Sequence, residues 1–138
     1  MELIALCTFE ATLDGLHLIG DGPAGARTVA EVSGGTMRGD RLNGSVKGSA
    51  AADWMLTSKD GVATLDVRVV VETDDGALIY VTYEGRADWS EGPGTQPIYI
   101  APKFETSDER YAWLNAVQAV GKGQLGRGTV TYEIAEVR

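Results

Sequence analysis

Residues 62–86 alternate apolar and polar side chains in two runs that flank Asp74-Asp75-Gly76. A three-residue hairpin loop commonly ends in the left-handed region, which glycine enters without steric cost. A loop of these residues pairs Thr73 with Ala77 and fixes the register. One face of the predicted hairpin is then apolar, with Leu65, Val67, Val69, Val71, Ile79, Val81 and Tyr83. The other face is polar, with Asp66, Arg68, Glu72, Tyr80, Thr82, Glu84 and Arg86.

Short alternating runs recur along the chain between glycines, which number 18 of 138 residues. They predict ten strands, at Glu2–Glu10, Thr28–Val32, Gly35–Gly39, Arg41–Lys47, Asp53–Thr57, Ala63–Glu72, Ala77–Arg86, Ile98–Phe104, Ala116–Gly121 and Thr129–Val137. One short helix is predicted at Ser107–Asn115, with Ser107 as its cap. Because barrel closure removes exposed sheet edges, we expect one all-β domain over residues 1–138, an antiparallel β-barrel of roughly eight to ten strands.

The charge balance and the apolar segments limit the partners and the compartment. The net charge is −8, which disfavours nucleic acid as a partner. The amino terminus lacks the basic start of a secretory signal, and no segment approaches the ~20 apolar residues that span a bilayer. We therefore expect a soluble cytoplasmic protein with neither a nucleic acid nor a membrane as partner.

Metal and nucleotide chemistry find little support in the sequence. Cys7 and His17 are the single cysteine and the single histidine, so no His/Cys metal spacing exists and no intramolecular disulfide is possible. Cys7 is predicted to be a core residue, and His17 to lie exposed in a loop. The glycines of residues 20–25 lack the strand and helix that a phosphate-binding loop needs. We expect no metal and no cofactor.

Several segments together resemble the DUF3237 family, also labelled UPF0311. The matching stretches, in chain order, are Gly34-Gly35, residues 41–44, Ala52-Asp53-Trp54, residues 65–68 with 74–81, residues 104–106, residues 110–115 and residues 131–137. The resemblance implies a lipocalin-like or allene-oxide-cyclase-like barrel, and it implies no particular reaction. One departure is that the glycine pair that usually precedes Ala-Asp-Trp in the family is replaced here by Ala50-Ala51.

The polar face of the hairpin admits two interpretations. Asp66 faces Glu84 in the predicted register, and Arg68 lies diagonally near Glu84. This face is either a solvated outer surface with a charge ladder or the barrel lumen. In the lumen, Arg68 would bind an anionic or carbonyl oxygen and a carboxylate such as Asp66 would transfer protons. The periodicity favours the surface, whereas the resemblance favours the lumen because both residues belong to the family's motif.

Other candidate site residues are a carboxylate and several aromatic side chains. Asp53 could act as a general base if apolar neighbours raised its pKa. Trp54 and Trp113 could hold a ring system, or they could simply fill the barrel. The remaining candidates are Tyr80 and Tyr99 as phenolic donors, and Asn115 as a donor to a ligand carbonyl or as a cap of the helix.

Three functions are consistent with this pattern. The first is a cofactor-independent enzyme that isomerises, cyclises or eliminates by proton transfer. It would act on a small, apolar, oxygenated molecule, such as an aromatic catabolite or a polyketide-like intermediate. The second is a carrier or sensor that binds the same kind of molecule without converting it. The third is a structural dimerisation module, and a homodimer is compatible with all three.

Overall fold

The computed structural model describes all 138 residues, Met1–Arg138. It contains ten strands: β1 (Leu3–Gly22), β2 (Gly25–Arg38), β3 (Gly44–Val46), β4 (Ala52–Thr57), β5 (Val62–Thr73), β6 (Leu78–Asp88), β7 (Ile98–Ile100), β8 (Lys103–Glu105), β9 (Ala119–Leu125) and β10 (Thr129–Val137). A 3-10 helix, Glu109–Ala116, connects β8 to β9. No helix of the structure is both long enough and apolar enough to span a bilayer.

Eight of the strands pair in a closed antiparallel ring. The order is β1-β2-β4-β5-β6-β7-β9-β10, and β10 pairs again with β1. Strand β3 pairs with both β2 and β5, and β8 pairs with β6. The predicted antiparallel barrel is therefore confirmed.

The central hairpin forms in the predicted register. The amide of Thr73 donates to the carbonyl of Ala77 at 2.8 Å, and Gly76 has a φ of 90°. Asp66 lies opposite Glu84, as the register requires. The turn and the alternation fix this pairing together because both are local properties of the chain.

The first strand is longer than predicted. It passes Glu10 and continues to Gly22, where it forms a long hairpin with β2. The register shifts between Leu13 and Leu16, and Gly15 within this bulge has a φ of 104°. His17 therefore lies in a strand and not in a loop, although it is exposed as predicted, with Nε2 2.8 Å from Glu31 Oε2. A bulge lets a strand bend without ending, which the glycine pattern alone did not reveal.

Other boundaries also differ from the prediction. The predicted strands Thr28–Val32 and Gly35–Gly39 are one strand, β2, and the strand predicted at Ala116–Gly121 is β9, Ala119–Leu125. The segment Ile98–Phe104 is split into β7 and β8 around Pro102, which has no amide to donate to a ladder. The helix has 3-10 geometry, and Asp108 caps it instead of Ser107 by accepting a hydrogen bond from the amide of Arg110.

One end of the barrel is filled and the other is hollow. The 3-10 helix lies at the end of the 74–76 turn, where Arg110 Nη1 donates to the carbonyl of Asp75 at 2.9 Å. Leu114 of the helix is completely buried, and Cys7 is buried in the core as predicted. We call this the closed end. The functional chemistry must therefore be sought at the opposite, open end.

Candidate functional site

The open half of the barrel encloses a cavity of about 520 Å³. Each of the eight ring strands contributes at least one side chain to its wall. On β5 the lining ends at Val67, and the next inward residue, Val69, belongs to the packed core. The cavity therefore has a floor halfway along the barrel, and its volume suits a small organic molecule.

Asp53 is the carboxylate of the cavity floor. It lies on β4 opposite Ala30 of β2 and Val67 of β5, and it lines the cavity. Its Oδ1 accepts a hydrogen bond of 3.1 Å from the backbone amide of Asp66. Burial raises the pKa of Asp53 to about 7; the amide of Asp66 opposes this shift, and the negative charge of Asp66 adds to it. This carboxyl group can therefore accept and release a proton near neutral pH.

Two tyrosines share the floor with this carboxylate. Tyr83 of β6 lies opposite Val67, which places it two strands from Asp53 in the same row. Tyr132 of β10 packs edge-on against it, with ring centroids 5.6 Å apart. Burial raises the pKa of each hydroxyl, and the nearby charge of Asp53 raises it further. Both phenols therefore remain protonated hydrogen-bond donors across the physiological pH range.

A glycine and a phenylalanine hold the ring of Tyr132. Phe9 stacks on this ring with a centroid distance of 6.3 Å. Gly123 of β9 lies opposite Tyr132, and a Cβ at that position would overlap the ring. The absence of a side chain at Gly123 therefore gives the aromatic ring its place.

The cavity rim is apolar and partly exposed. Leu16 and Leu18 of the long β1–β2 hairpin line it while remaining 62% and 74% exposed. On the other side, Trp89 Nε1 donates to the carbonyl of Gln96 at 3.0 Å, which ties down the loop that carries Pro93. The entrance thus offers an apolar surface to an incoming molecule.

The chemical repertoire of this cavity is narrow. Its lining includes no lysine, arginine or histidine. Nowhere in the chain do three His, Cys, Asp or Glu side chains come together as a metal site would require. What the cavity does offer is one carboxyl group with a near-neutral pKa and two phenolic donors, a set able to move a proton and to stabilise charge on a ligand oxygen.

The structure places Asp66 and Arg68 on the outer face of the barrel. Both are exposed, and their inward neighbours on β5 are Leu65, Val67 and Val69. The hypothesis that this polar face lines the lumen is therefore wrong, and the outer-surface interpretation is confirmed. The physical reason is that alternation must place one set of side chains inside a closed barrel, and burying the apolar set is far cheaper than burying unpaired charges.

Three predicted ligand-binding aromatic residues also lie outside. Trp54 follows Asp53 on β4 and is exposed, while its carbonyl accepts a hydrogen bond from Arg27 Nη1. Tyr80 and Tyr99 are exposed on the outer faces of β6 and β7. The prediction that they line the lumen is wrong, because each alternates along its strand with residues whose side chains point into the barrel.

Trp113 and Asn115 lie at the closed end, away from the cavity. The guanidinium carbon of Arg41 lies 4.8 Å from the centroid of the Trp113 ring, which packs against the core. The amide of Asn115 bonds the backbone of Thr106 in both directions, at 2.8 and 2.9 Å. Asn115 thus fastens the helix to the end of β8, and the structure does not place it at the cavity.

Of the predicted site residues, Asp53 alone lines the cavity, and the sequence analysis missed Tyr83 and Tyr132 as its partners. The sequence did contain a feature that indicates these two tyrosines. Each tyrosine occupies an inward position within an aliphatic stripe, between Val81 and Gly85 on β6 and between Val130 and Ile134 on β10. A tyrosine among aliphatic core residues carries a hydroxyl that requires a polar partner, so such a position indicates a cavity or a buried polar cluster.

Comparison with known proteins shows where this barrel belongs. A β-barrel-like protein from Acinetobacter baumannii superposes with a TM-score of 0.89 at 30% identity, covering 99% of this chain and 96% of that one. An enzyme from Penicillium herquei superposes with a TM-score of 0.75 at 25% identity, covering 99% and 94%. A hydroalkoxylation enzyme of Penicillium herquei is 32% identical over 95 residues, which are 69% of this chain and 56% of that protein. The model of a family described as a protein of unknown function, DUF3237, matches residues 1–137, and the chain therefore belongs to the DUF3237 family.

Proposed function

We propose that this protein is a cofactor-independent enzyme that transfers a proton within a small, apolar, oxygenated molecule bound in the barrel cavity. The observation that carries the proposal is the position of Asp53. It is a carboxyl group with a pKa of about 7 on the floor of a mostly apolar cavity, beside two phenolic donors. A purely structural barrel would gain stability by replacing it with an aliphatic residue, since burying the charged form is costly.

The chemistry that this arrangement supports best is the addition of an O–H group across a conjugated carbon–carbon double bond. Asp53 takes the proton from the ligand hydroxyl as its oxygen bonds to the far carbon of the double bond. The π electrons move onto the conjugated carbonyl oxygen, where Tyr83 and Tyr132 stabilise the enolate by hydrogen bonds. Asp53 then returns the proton to the near carbon. One C–O bond and one C–H bond form, one O–H bond and one π bond break, and no electrons leave the ligand.

The relative from Penicillium herquei supports this reaction class. Hydroalkoxylation is the addition of an O–H group across a carbon–carbon double bond, and that relative is a hydroalkoxylation enzyme. The same proton transfers would also serve a related isomerisation or elimination, because each needs one group that accepts and then donates a proton.

The test uses 2′-hydroxychalcone, a phenol conjugated to an enone that closes to a flavanone by this addition. We expect the protein to accelerate loss of the enone absorbance, and in D₂O to place one deuterium at the carbon next to the carbonyl. Asp53→Asn keeps the shape and the hydrogen bond to Asp66 but cannot transfer the proton. Equal rates for the wild type and this variant, over a panel of such phenols, would contradict the proposal; binding without turnover would instead favour a carrier.

A further inference from the structure

We propose, resting on the proposed function, that the ligand is an uncharged amphiphile that enters the barrel with its oxygen-bearing end first. Its apolar body would then fill the channel between the floor and the rim. The inference follows from where the cavity places its few polar groups and which charges it lacks.

The lining of the cavity disfavours anionic ligands. Its titratable groups are Asp14, Asp53, Tyr83 and Tyr132, none of which carries positive charge. A carboxylate or phosphate at the floor would be desolvated without a counter-ion, beside a carboxyl group of its own sign. The whole chain has a net charge of −8, which repels anions before they reach the entrance.

The floor also disfavours a cationic ligand. An ammonium group could pair with Asp53, but one carboxylate oxygen already accepts the Asp66 amide. The other polar groups of the floor are the hydroxyls of Tyr83 and Tyr132, which do not supply a second negative charge. A buried ion pair repays its desolvation only where further hydrogen bonds satisfy it. A neutral hydroxyl, by contrast, can donate to the Asp53 carboxylate and accept from a tyrosine, and a neutral carbonyl oxygen can accept from a tyrosine.

The distribution of side chains sets the orientation of the ligand. Asp53, Tyr83 and Tyr132 all lie on the floor, next to the packed core. The wall between floor and rim is mostly aliphatic, and Leu16 and Leu18 remain exposed at the rim. A ligand whose polar end reaches the floor would satisfy these groups and cover the exposed leucines with its apolar end.

The charge preference is tested by calorimetric titration at pH 7 with three probes of one shape: 2-naphthalenemethanol, 2-naphthoate and 2-naphthylmethylammonium. We expect the alcohol to bind at least about tenfold more tightly than either ion, because a missing counter-ion costs more than one hydrogen bond. A charged probe that binds as tightly as the alcohol would overturn the inference. The inference would also be overturned if the charged probes competed with 2′-hydroxychalcone for binding and the alcohol did not.

The orientation is tested with Leu18→Ser and a second alcohol that carries a hexyl chain at the far end of the naphthalene ring. The variant should weaken binding of the hexyl alcohol by about threefold or more and leave that of the short alcohol unchanged. Leu78→Ser alters an exposed leucine at the start of β6, at the closed end of the barrel, and should change the binding of neither alcohol. Equal losses for both alcohols with Leu18→Ser, or no loss for either, would overturn the orientation.

These measurements require binding only, so they separate the two proposals. If the protein binds the neutral probes selectively but never converts a phenol, the proposed activity is contradicted and this inference stands. If the protein converts carboxylated phenols as fast as neutral ones, the proposed activity stands and this inference is overturned.

Discussion

The backbone amide of Asp66 donates a hydrogen bond to Asp53 Oδ1, although the side chain of Asp66 lies on the opposite face of the sheet. The ladder between β4 and β5 is interrupted at this point, since it pairs Asp53 with Val67 and resumes only at Leu56 and Thr64. Two carboxyl groups thus lie near each other on opposite sides of one sheet. Only that of Asp53 is in an apolar cavity, and its neighbour in solvent adds to the rise of its pKa.

Asp53→Asn should therefore slow turnover strongly. We expect kcat to fall by about 10²–10⁴, the usual contribution of a general acid or base. Binding of neutral phenols should change little, because the amide retains an acceptor for the Asp66 amide. The matched control is Asp66→Asn, which should keep kcat within about threefold, as expected of a surface substitution. A large loss in the control and none in Asp53→Asn would reverse the assignment.

The same carboxyl group should make stability depend on pH. The pKa of Asp53 is about 7 in the fold against an ordinary value of 3.8, so the folded state holds this proton more tightly than the unfolded chain does. The resulting stabilisation is complete below the unfolded pKa and disappears as the pH rises through about 7. A shift from 3.8 to about 7 corresponds to at most about 4 kcal/mol.

Asp53→Asn should thus raise the free energy of unfolding at pH 8 by about 2–4 kcal/mol and change it little at pH 4. Urea denaturation of both proteins at the two pH values measures the difference. Asp60→Asn, in the exposed turn before β5, is the control and should show no such gain at pH 8. A more stable but inactive Asp53 variant would show that the carboxyl group serves function at the expense of stability.

The two tyrosines should act through their hydroxyls. Tyr83→Phe and Tyr132→Phe each remove one donor from the floor and leave the ring packing intact. We expect kcat to fall by about 10²-fold for each, the lower range for loss of one donor to a developing oxyanion. Tyr80→Phe alters an exposed tyrosine on the same strand as Tyr83 and should have wild-type kinetics. If all three variants turn over alike, the phenols do not stabilise charge.

Local rules predicted the hairpin well and its surroundings less well. The register of β5 and β6 follows from the turn at Gly76 and from the alternation, which are both properties of adjacent residues. The partners of Asp53 were not local. Tyr83 reaches it across β5, Tyr132 reaches it because the ring of strands closes, and the alternation assigns both only to an apolar stripe. Long-range closure, which brings β4, β6 and β10 to one floor, cannot be inferred from any single segment.

The placement of Arg68 shows how a motif can mislead. A charged residue within a family pattern invites a catalytic role, yet Arg68 is exposed on β5 opposite Thr82 and forms no ion pair. Arg68→Ala should therefore leave kcat/KM within about twofold and stability within about 0.5 kcal/mol of the wild type, as expected for a surface substitution. Steady-state kinetics and urea denaturation test both. A loss of activity with normal stability would require that the outer face of β5 contacts the ligand or a partner.

Gly123→Ala should displace Tyr132 without touching the ligand. Gly123 lacks a positive φ, so its backbone accepts alanine, but the new Cβ would overlap the Tyr132 ring. We expect a loss of about 1–3 kcal/mol from overpacking and a fall in kcat similar to that of Tyr132→Phe, measured on folded protein. Gly34→Ala is the control, because nothing lies within 4 Å of its new Cβ and its φ is ordinary. Normal turnover by Gly123→Ala would mean that the position of the Tyr132 hydroxyl is immaterial. An equal loss of stability and kcat in both variants would mean that the effect comes from the loss of glycine flexibility and not from displacement of the Tyr132 ring.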